Sequence, residues 1–211
     1  DINLHCLLKN IIDLERLVSK LANGRVSPSE LVNLKESLIS CTEIKNILKE
    51  RSKKLKSVSK EINVDNKLIE LISNSLIDEA PVNILKGNAI KKGVNKELDS
   101  FRNILQNNKK NLQDILQREI ENTGISSLKI SFNNVFGYYL EVTNAHKNKV
   151  PEEWIRKQTL VNAERYITEE LKEYEVKILN AEENIKNIEL LEFEKLLKKL
   201  IPYCDLIQQV A

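Results

Sequence analysis

One run of residues limits the fold of this chain more than any other. From Thr168 to Leu200 the apolar positions recur at spacings of three and four without a slip, which places them on one face of an α-helix. A second run, from Val94 to Glu121, falls near a seven-residue repeat and predicts another long helix. At 1.5 Å of rise per residue the two helices are about 50 and 40 Å long. We therefore expect a mostly α protein.

The stretch between the two long helices has a different period. Segments 128–133 and 138–143 alternate apolar and polar residues, which is the pattern of half-buried strands. Asn and Gly residues between the segments tolerate the backbone of a tight turn, so we expect a β-hairpin. A third alternation, at 159–161, meets Asn162 and leads into the second long helix. A module of about 45 residues is too small to bury a core without its flanking helices.

The first ninety residues predict shorter elements, read from apolar spacing and capping residues. These are a helix from Ile2 to Leu21 closed by Asn23 and Gly24, a helix that Ser27, Pro28 and Glu30 open with a capping box, a weaker helix from Ser40 to Lys60, a helix from Asp65 through Ile77, and a short extended or hairpin segment from Pro81 to Gly93. Arg51, Lys53, Lys54 and Lys56 form a basic cluster, which we expect to be a solvated helix face, with a contact to phosphate as the alternative.

Composition limits the function classes. The 33 basic and 31 acidic residues nearly cancel, so any contact with nucleic acid must be local. Cys6, Cys41 and Cys204 lack the spacing of a zinc site or a disulfide framework, and we expect them to be small buried hydrophobes in a reducing compartment. No apolar run approaches the about 20 residues that span a bilayer. The chain contains no Met and starts at Asp1, so we expect an internal piece of a longer protein.

Nothing in the sequence predicts catalysis. His5 and His146 stand apart from each other and from any Cys at a metal-ligand spacing. The phosphate-loop pattern GxxxxGK[ST] occurs nowhere in the chain. We therefore expect no catalytic residues, no metal site and no cofactor within these residues.

Three separated strings carry a family resemblance: IIDLERLVSKLANGRVSPSELVNL, FNNVFGYYLEVT and VPEEWIRKQTLVNAERYITEELKEYE. They closely resemble the core (lever) and clamp domains of the MutS family of DNA mismatch-recognition ATPases. The resemblance implies a helical core bundle with two long antiparallel lever helices and a small β-rich clamp module inserted at their tip. It places the core bundle and first lever helix at 1–120, the clamp at 121–167, and the second lever helix with the return to the core at 168–211.

The same resemblance implies a function. In this family the clamp contacts the backbone of duplex DNA without sequence specificity, and the lever helices couple it to an ATPase domain that this chain lacks. The implied partners are double-stranded DNA and a second copy of the parent protein in a homodimer, with no membrane, in the cytoplasm and associated with the nucleoid through DNA. ATP and magnesium would bind only elsewhere in the parent, so this chain would not be an enzyme by itself.

The candidate contacts of the module are amide side chains in turns and nearby cations. From Glu121 to Ile167 there are six basic and five acidic residues, so composition alone does not indicate a DNA-binding patch. Amides, turn N–H groups and a few cations grip phosphate oxygens without reading bases, although Asn in turns is more often explained by backbone conformation. Carried onto this sequence, the resemblance gives Asn133, Asn134, Lys157, Gln158, Val161, Asn162 and Arg165 as DNA-backbone contacts. We expect Phe136, Tyr138, Tyr139 and Trp154 to pack in the module, and not to stack on bases.

A rival hypothesis needs no DNA. The apolar seam from Leu171 to Ile188 is also typical of a structural coiled-coil module that binds a partner helix. That hypothesis predicts helical association insensitive to DNA. The clamp hypothesis predicts weak, salt-sensitive affinity for duplex DNA.

Overall fold

The computed structural model describes residues 2–211 and confirms the predicted mostly α class with a small β-rich module. The chain divides into two compact units, a helical unit (Asp1–Leu98 with Ile185–Ala211) and a sheet unit (Asp99–Asn184). The helices of the described residues are α1 (Ile2–Lys9), α2 (Leu14–Ala22), α3 (Pro28–Lys49), α4 (Lys53–Glu61), α5 (Asn66–Ser75), α6 (Lys96–Gln106), α7 (Asn108–Thr123), α8 (Glu169–Leu200) and α9 (Cys204–Val210). The strands are β1 (Lys129–Asn133), β2 (Gly137–Thr143), β3 (Ile155–Thr159) and β4 (Ala163–Ile167).

The helical unit buries one main apolar core. Its fully buried side chains come from α2, α3, α5, α8 and α9, from the segment that follows α5 and from the start of α6. Each such side chain stabilises the fold by about 1.5–3 kcal/mol relative to an exposed one. Those less than 2% exposed include Leu21, Leu31, Leu34, Leu38, Leu68, Ile72, Leu76, Ile90 and Leu98.

The predicted single helix from Ile2 to Leu21 is wrong, because the chain breaks between α1 and α2. Asp13 caps α2 by accepting a hydrogen bond from the Arg16 N–H at 2.9 Å. Ser37, fully buried on α3, holds the break from the other side. Its hydroxyl accepts from the Ile12 N–H and donates to the Asn10 carbonyl, both at 3.2 Å. These bonds satisfy backbone groups that a continuous helix would have paired internally.

The capping box at the start of α3 is confirmed. The Ser27 hydroxyl accepts from the Glu30 N–H, and the Glu30 carboxylate accepts from the Ser27 N–H. The prediction of a new helix at Ser40 is wrong, since α3 continues to Lys49 and the chain breaks only before α4. Asp65 caps α5 as expected, accepting from the Lys67 N–H at 2.9 Å.

The helical period is lost at residues 81–93 as predicted, but the expected extended or hairpin segment is mostly irregular. It contains one 3₁₀ turn, Ile84–Lys86, and Ile90 forms an isolated antiparallel bridge with Leu76. Asn88 has a positive φ of 59°. The loop is fixed by Glu189 of α8, whose carboxylate accepts from the Asn88 and Ala89 N–H groups at 2.8 and 2.9 Å.

In the sheet unit α7 and the first half of α8 pack side by side and run antiparallel. Arg118 pairs with Glu170, and earlier on α7 the Asn111 amide donates to the Tyr174 hydroxyl at 3.3 Å. The single helix predicted from Val94 to Glu121 is wrong, because it is interrupted at Asn107. There the Asn107 side chain donates to the Asn103 carbonyl at 3.0 Å, which is the kind of side-chain bond that competes with helix continuation.

The four strands form one antiparallel sheet in the order β1-β2-β4-β3. The predicted hairpin of β1 and β2 is confirmed, with Ile130 opposite Leu140. The alternation at 159–161 falls at the end of β3, where Thr159 is the last strand residue, and Val161 and Asn162 lie in the turn of a second hairpin formed by β3 and β4. One face of the sheet packs on the two helices through a core that includes Leu140, Tyr166 and Ile178.

Candidate nucleic-acid interface

The two Asn-containing turns lie at opposite ends of the sheet. The first turn joins β1 to β2 beside Gly137, whereas the second, 160–162, precedes Ala163, which pairs with Thr143 at the far end of β2. Six residue steps along β2 separate the two ends, a distance of about 20 Å at the rise of a strand. The two turns therefore cannot contact the same phosphate group.

A side chain distant in sequence anchors the second turn. The Asn144 amide donates to the Val161 carbonyl at 2.9 Å, and the Asn144 N–H donates to the Asn162 carbonyl at 3.1 Å. The Val161 side chain is 91% exposed, and the Asn162 side chain is exposed beside it. The turn thus presents its residues to solvent on a fixed backbone. Asn144 was missed at the level of sequence, because only the strand pairing brings it to this turn.

Cations collect at the end of the sheet where the second turn lies. Asn144 opens a 3₁₀ segment, Asn144–Lys149, that carries Lys147 and Lys149, both exposed. Lys149 reaches the carboxyl end of α7, with its Nζ 3.4 Å from the Gly124 carbonyl oxygen. Lys147 was not among the predicted contacts, yet it lies three residues after Asn144, which anchors the second turn, and its charge acts on Glu164 of β4.

The first turn has a different environment. The Asn133 carboxamide oxygen accepts from the Val135 N–H at 2.7 Å, so part of this amide stabilises the turn itself. Asn134 and Val135 are exposed. Gly137, which ends the turn, lies directly against the Glu175 carboxylate of α8. A negative charge at this end is unfavourable for a phosphate ligand.

On the open face of the sheet, one row of side chains crosses all four strands. Lys129 lies opposite Glu141, Glu141 opposite Arg165, and Arg165 opposite Gln158. The Arg165 guanidinium donates to Glu141 at 3.1 Å and to Gln158 at 2.9 Å, and it stacks 4.6 Å from the centre of the Tyr139 ring. Its hydrogen bond to Gln158 fixes the orientation of that side chain. The charge of Arg165 is partly screened, because Glu141 lies beside it.

Glu164 is the buried carboxylate of this region. It accepts hydrogen bonds from the Tyr166 hydroxyl and from Arg156. The Tyr166 bond, supported by the charges of Arg156 and Lys147, lowers the pKa of Glu164, whereas desolvation acts in the opposite direction. Burial and the neighbouring carboxylate raise the pKa of Tyr166 to about 12. The lowered pKa favours the ionised form of Glu164, whose two oxygens are engaged by the Tyr166 hydroxyl and by Arg156.

Lys157 lies on an exposed edge strand. Every residue of β3 is exposed, and the pairing of β3 with β4 shifts register between Arg156 and Gln158, which places Lys157 in a bulge. Among residues 2–211, no hydrogen bond or ion pair engages the Lys157 ammonium group. Its charge is therefore available to a ligand.

The aromatic side chains pack as expected. Trp154 and Tyr139 are buried, and Tyr138 packs between Phe132 and Tyr174 at centroid distances of 5.2 and 6.3 Å. Phe136 packs on Tyr139 at 5.4 Å.

The remaining candidate groups show no site chemistry. Cys41 is buried as predicted, but the expectation that all three cysteines are buried is wrong, because Cys6 is exposed. Across the described part of the chain, no group of three His, Cys, Asp or Glu residues is placed to hold a metal ion. Among residues 2–211, none of the helices combines the length and the apolar composition that a membrane span requires.

The sheet unit is thus a small antiparallel sheet packed on two antiparallel helices, with exposed polar turns at both ends of the sheet. Residues 93–184 match the model of MutS family domain IV. Over 210 residues the chain is 56% identical to the DNA mismatch repair protein MutS of Flavobacterium johnsoniae, covering 99% of this chain and 24% of that protein. The MutS proteins of Parabacteroides distasonis and Bacteroides thetaiotaomicron are 51% and 49% identical over 97% and 93% of this chain, and 24% and 23% of their own lengths.

The chain therefore belongs to the MutS family, as the three sequence strings predicted. It spans about a quarter of the length of the curated relatives that it matches.

Proposed function

We propose that the sheet unit contacts the sugar-phosphate backbone of duplex DNA as part of a mismatch repair protein. The observation that supports this most strongly is the exposed second turn, fixed by Asn144 and flanked by Lys147 and Lys157. Amides and isolated cations of this kind bind phosphate oxygens but do not distinguish bases. The names of the relatives, which are DNA mismatch repair proteins, agree with a DNA ligand.

The predicted contacts have different roles in this proposal. Phosphate is bound directly by Lys157, by Asn162 and by the backbone at Val161. Gln158 is oriented by Arg165. Asn133 and Asn134 form a second, weaker contact at the opposite end of the sheet, because Glu175 lies beside that turn. The interface is then centred on one end of the sheet.

The wider roles follow from the family and are part of the same proposal. The helix α8 begins in the sheet unit and ends in the helical unit without interruption. We infer that it couples the DNA contact to the ATPase domain of the parent protein. ATP and magnesium would bind in that domain, outside this chain, and a second copy of the parent would complete a dimer around DNA in the cytoplasm.

The coiled-coil hypothesis loses its free surface. Leu171, Tyr174 and Ile178 of the proposed seam are buried in the core of the sheet unit. Ile185 and Ile188 pack against the core of the helical unit. A partner helix would have to displace these contacts in order to bind the seam.

The test is a titration of the 211-residue chain against a fluorescent, fully paired duplex at several low salt concentrations. Non-specific affinity of this kind is about 10⁻⁴ M at physiological salt, so low salt is needed. Lys157→Gln should weaken binding and reduce the slope of log affinity against log salt by about 0.9, the value for one phosphate contact. Asn162→Ala should weaken binding several-fold with the slope unchanged, because a neutral amide releases no counterion.

Lys109→Gln is the matched control, since Lys109 is exposed on α7 in the same unit. It should change affinity less than Lys157→Gln does. If Asn134→Ala alone weakens binding, the interface lies at the opposite end of the sheet. If all variants bind like the control, the sheet unit is not the DNA contact.

A further inference from the structure

The positive charge of the chain is concentrated away from the sheet unit. Between Glu43 and Glu61 there are seven Lys or Arg residues and three Glu residues, a net charge of +4. The whole chain carries +2, so all other residues together carry −2. A local excess of this size attracts polyanions even when the global charge is small.

The structure assembles part of this charge into one groove. Lys45 and Lys49, one helical turn apart on α3, and Lys56 and Lys60, one turn apart on α4, line a groove of about 380 Å³. The groove also includes Ser59, which is 1% exposed and donates to the Lys56 carbonyl at 2.8 Å. Of the basic cluster expected to be a solvated helix face, only Lys56 lines this groove, together with Lys60 and with Lys45 and Lys49 of the preceding helix. We call these four residues the lysine groove.

The charges of the lysine groove are not neutralised within the protein. Across residues 2–211, no carboxylate lies at ion-pair distance from Lys45, Lys56 or Lys60, and Lys49 contacts only the Asn46 carboxamide oxygen, at 3.5 Å. In the same unit, by contrast, Lys35 is paired with Glu36 and Asp78. Like charges along one groove repel each other, and a bound anion would relieve that repulsion.

We propose that the lysine groove binds phosphate groups of a nucleic acid backbone, as a second contact separate from the sheet unit. Lysine ammonium groups are compact point charges on flexible stems, which bind phosphate without a fixed geometry and without reading bases. One pair of lysines comes from each of the two helices that line the groove, so a bound strand would meet cations from both α3 and α4. The choice of nucleic acid over other polyanions rests on the proposed function of the parent.

The first test compares a quadruple variant, in which Lys45, Lys49, Lys56 and Lys60 are replaced by Gln, with the unmodified 211-residue chain on the fully paired duplex. Gln is a good helix former, so α3 and α4 should be retained, which far-UV circular dichroism will check. We expect affinity at low salt to fall at least tenfold. The salt slope should fall by about 2–4, since each lost phosphate contact removes about 0.9.

A matched control removes the same charge elsewhere in the helical unit, by replacing Lys96, Lys186, Lys198 and Lys199, all exposed, with Gln. This control should lose less than threefold in affinity. Replacing the four groove lysines with Arg preserves the charge and should preserve binding. Equal losses in the groove variant and the control would overturn the proposal, because they would show an effect of net charge alone.

Two further arms separate this proposal from other outcomes. Leu55 and Val58 of α4 are 40% and 42% exposed, so vesicles of anionic phosphatidylserine in phosphatidylcholine are tested in parallel. If the groove variant loses binding to vesicles but not to duplex, the nucleic acid proposal is overturned. Lys157→Gln in the sheet unit is titrated alone and combined with the groove variant. If only the groove variant loses affinity for the duplex, the groove proposal is supported and the sheet contact is refuted. If only Lys157→Gln loses affinity, the groove proposal is refuted.

Discussion

The carboxylate of Glu189 provides a stringent test of how the helical unit is held together. The side chain is 0% exposed in the middle of α8. Its two oxygens accept the N–H groups of Asn88 and Ala89 in the loop that follows α5. Ala89 is itself fully buried, whereas Asn88 is exposed. Glu189→Ala therefore leaves one N–H that water can reach and one that it cannot.

The expected cost follows from these two environments. A hydrogen bond to a charged group contributes about 1.5–3 kcal/mol, and a buried donor left without an acceptor costs about 1–3 kcal/mol. The Asn88 N–H recovers most of its loss by hydration, so the Ala89 N–H dominates. We expect Glu189→Ala to destabilise the attachment of the loop by about 3 kcal/mol, which is roughly a 100-fold change in an opening equilibrium.

Hydrogen exchange measures that opening directly. The Ala89 amide should exchange about 100-fold faster in Glu189→Ala than in the unmodified chain. Glu189→Gln, which retains one acceptor oxygen, should give an intermediate rate. Glu194→Ala, at an exposed position on the same helix, should change the rate by less than about threefold. If Glu189→Ala and Glu194→Ala leave the Ala89 amide equally protected, the carboxylate does not hold the loop.

Three further predictions concern the sheet unit. Gly137 has a φ of +78° and lies against Glu175. Gly137→Ala should lower the free energy of unfolding in urea by about 1–2 kcal/mol from backbone strain, and the added methyl group also clashes with the Glu175 carboxylate. Adding Glu175→Ala should relieve the clash but not the strain. Among five tyrosines, Tyr166 should ionise at a pH of about 12. The component of the tyrosinate absorbance titration with the highest midpoint should therefore disappear in Tyr166→Phe. The stability of the fold should fall as the pH rises from 10 towards 12. The lowered pKa of Glu164 contributes stability that is full above pH 4.5 and is lost as the pH falls further, so Glu164→Gln should flatten the acid side of the unfolding midpoint against pH.

Local signals explain most of what the sequence predicted. The uninterrupted spacing of α8, the capping box at Ser27 and the alternation of β1 and β2 are encoded by residues close together in the chain. The breaks were missed because their causes are distant. Ser37 accepts a hydrogen bond from the Ile12 N–H, which is 25 residues away in the chain. Beside the interruption at Asn107, the Asn108 amide donates to the Tyr138 hydroxyl, 30 residues away.

The candidate site shows the same division. Turn chemistry identified the Asn133 and Asn162 turns, and the structure places both on hairpins. That these turns lie at opposite ends of the sheet follows only from the strand order, which no local pattern specifies. The anchoring of Val161 by Asn144, and the engagement of Arg165 by Glu141, are likewise products of strand pairing.

The bulge at Lys157 also affects how the molecule behaves in a crowded solution. An edge strand with all residues exposed offers unpaired backbone groups to the edge of any neighbouring sheet. The register shift in β3 and the charges of Arg156 and Lys157 oppose that pairing, because a regular, uncharged strand is the better template for aggregation. Substitution of Lys157 is therefore constrained by solubility as well as by ligand binding. An apolar residue at this position would remove one of the features that oppose edge-to-edge pairing between copies of the sheet.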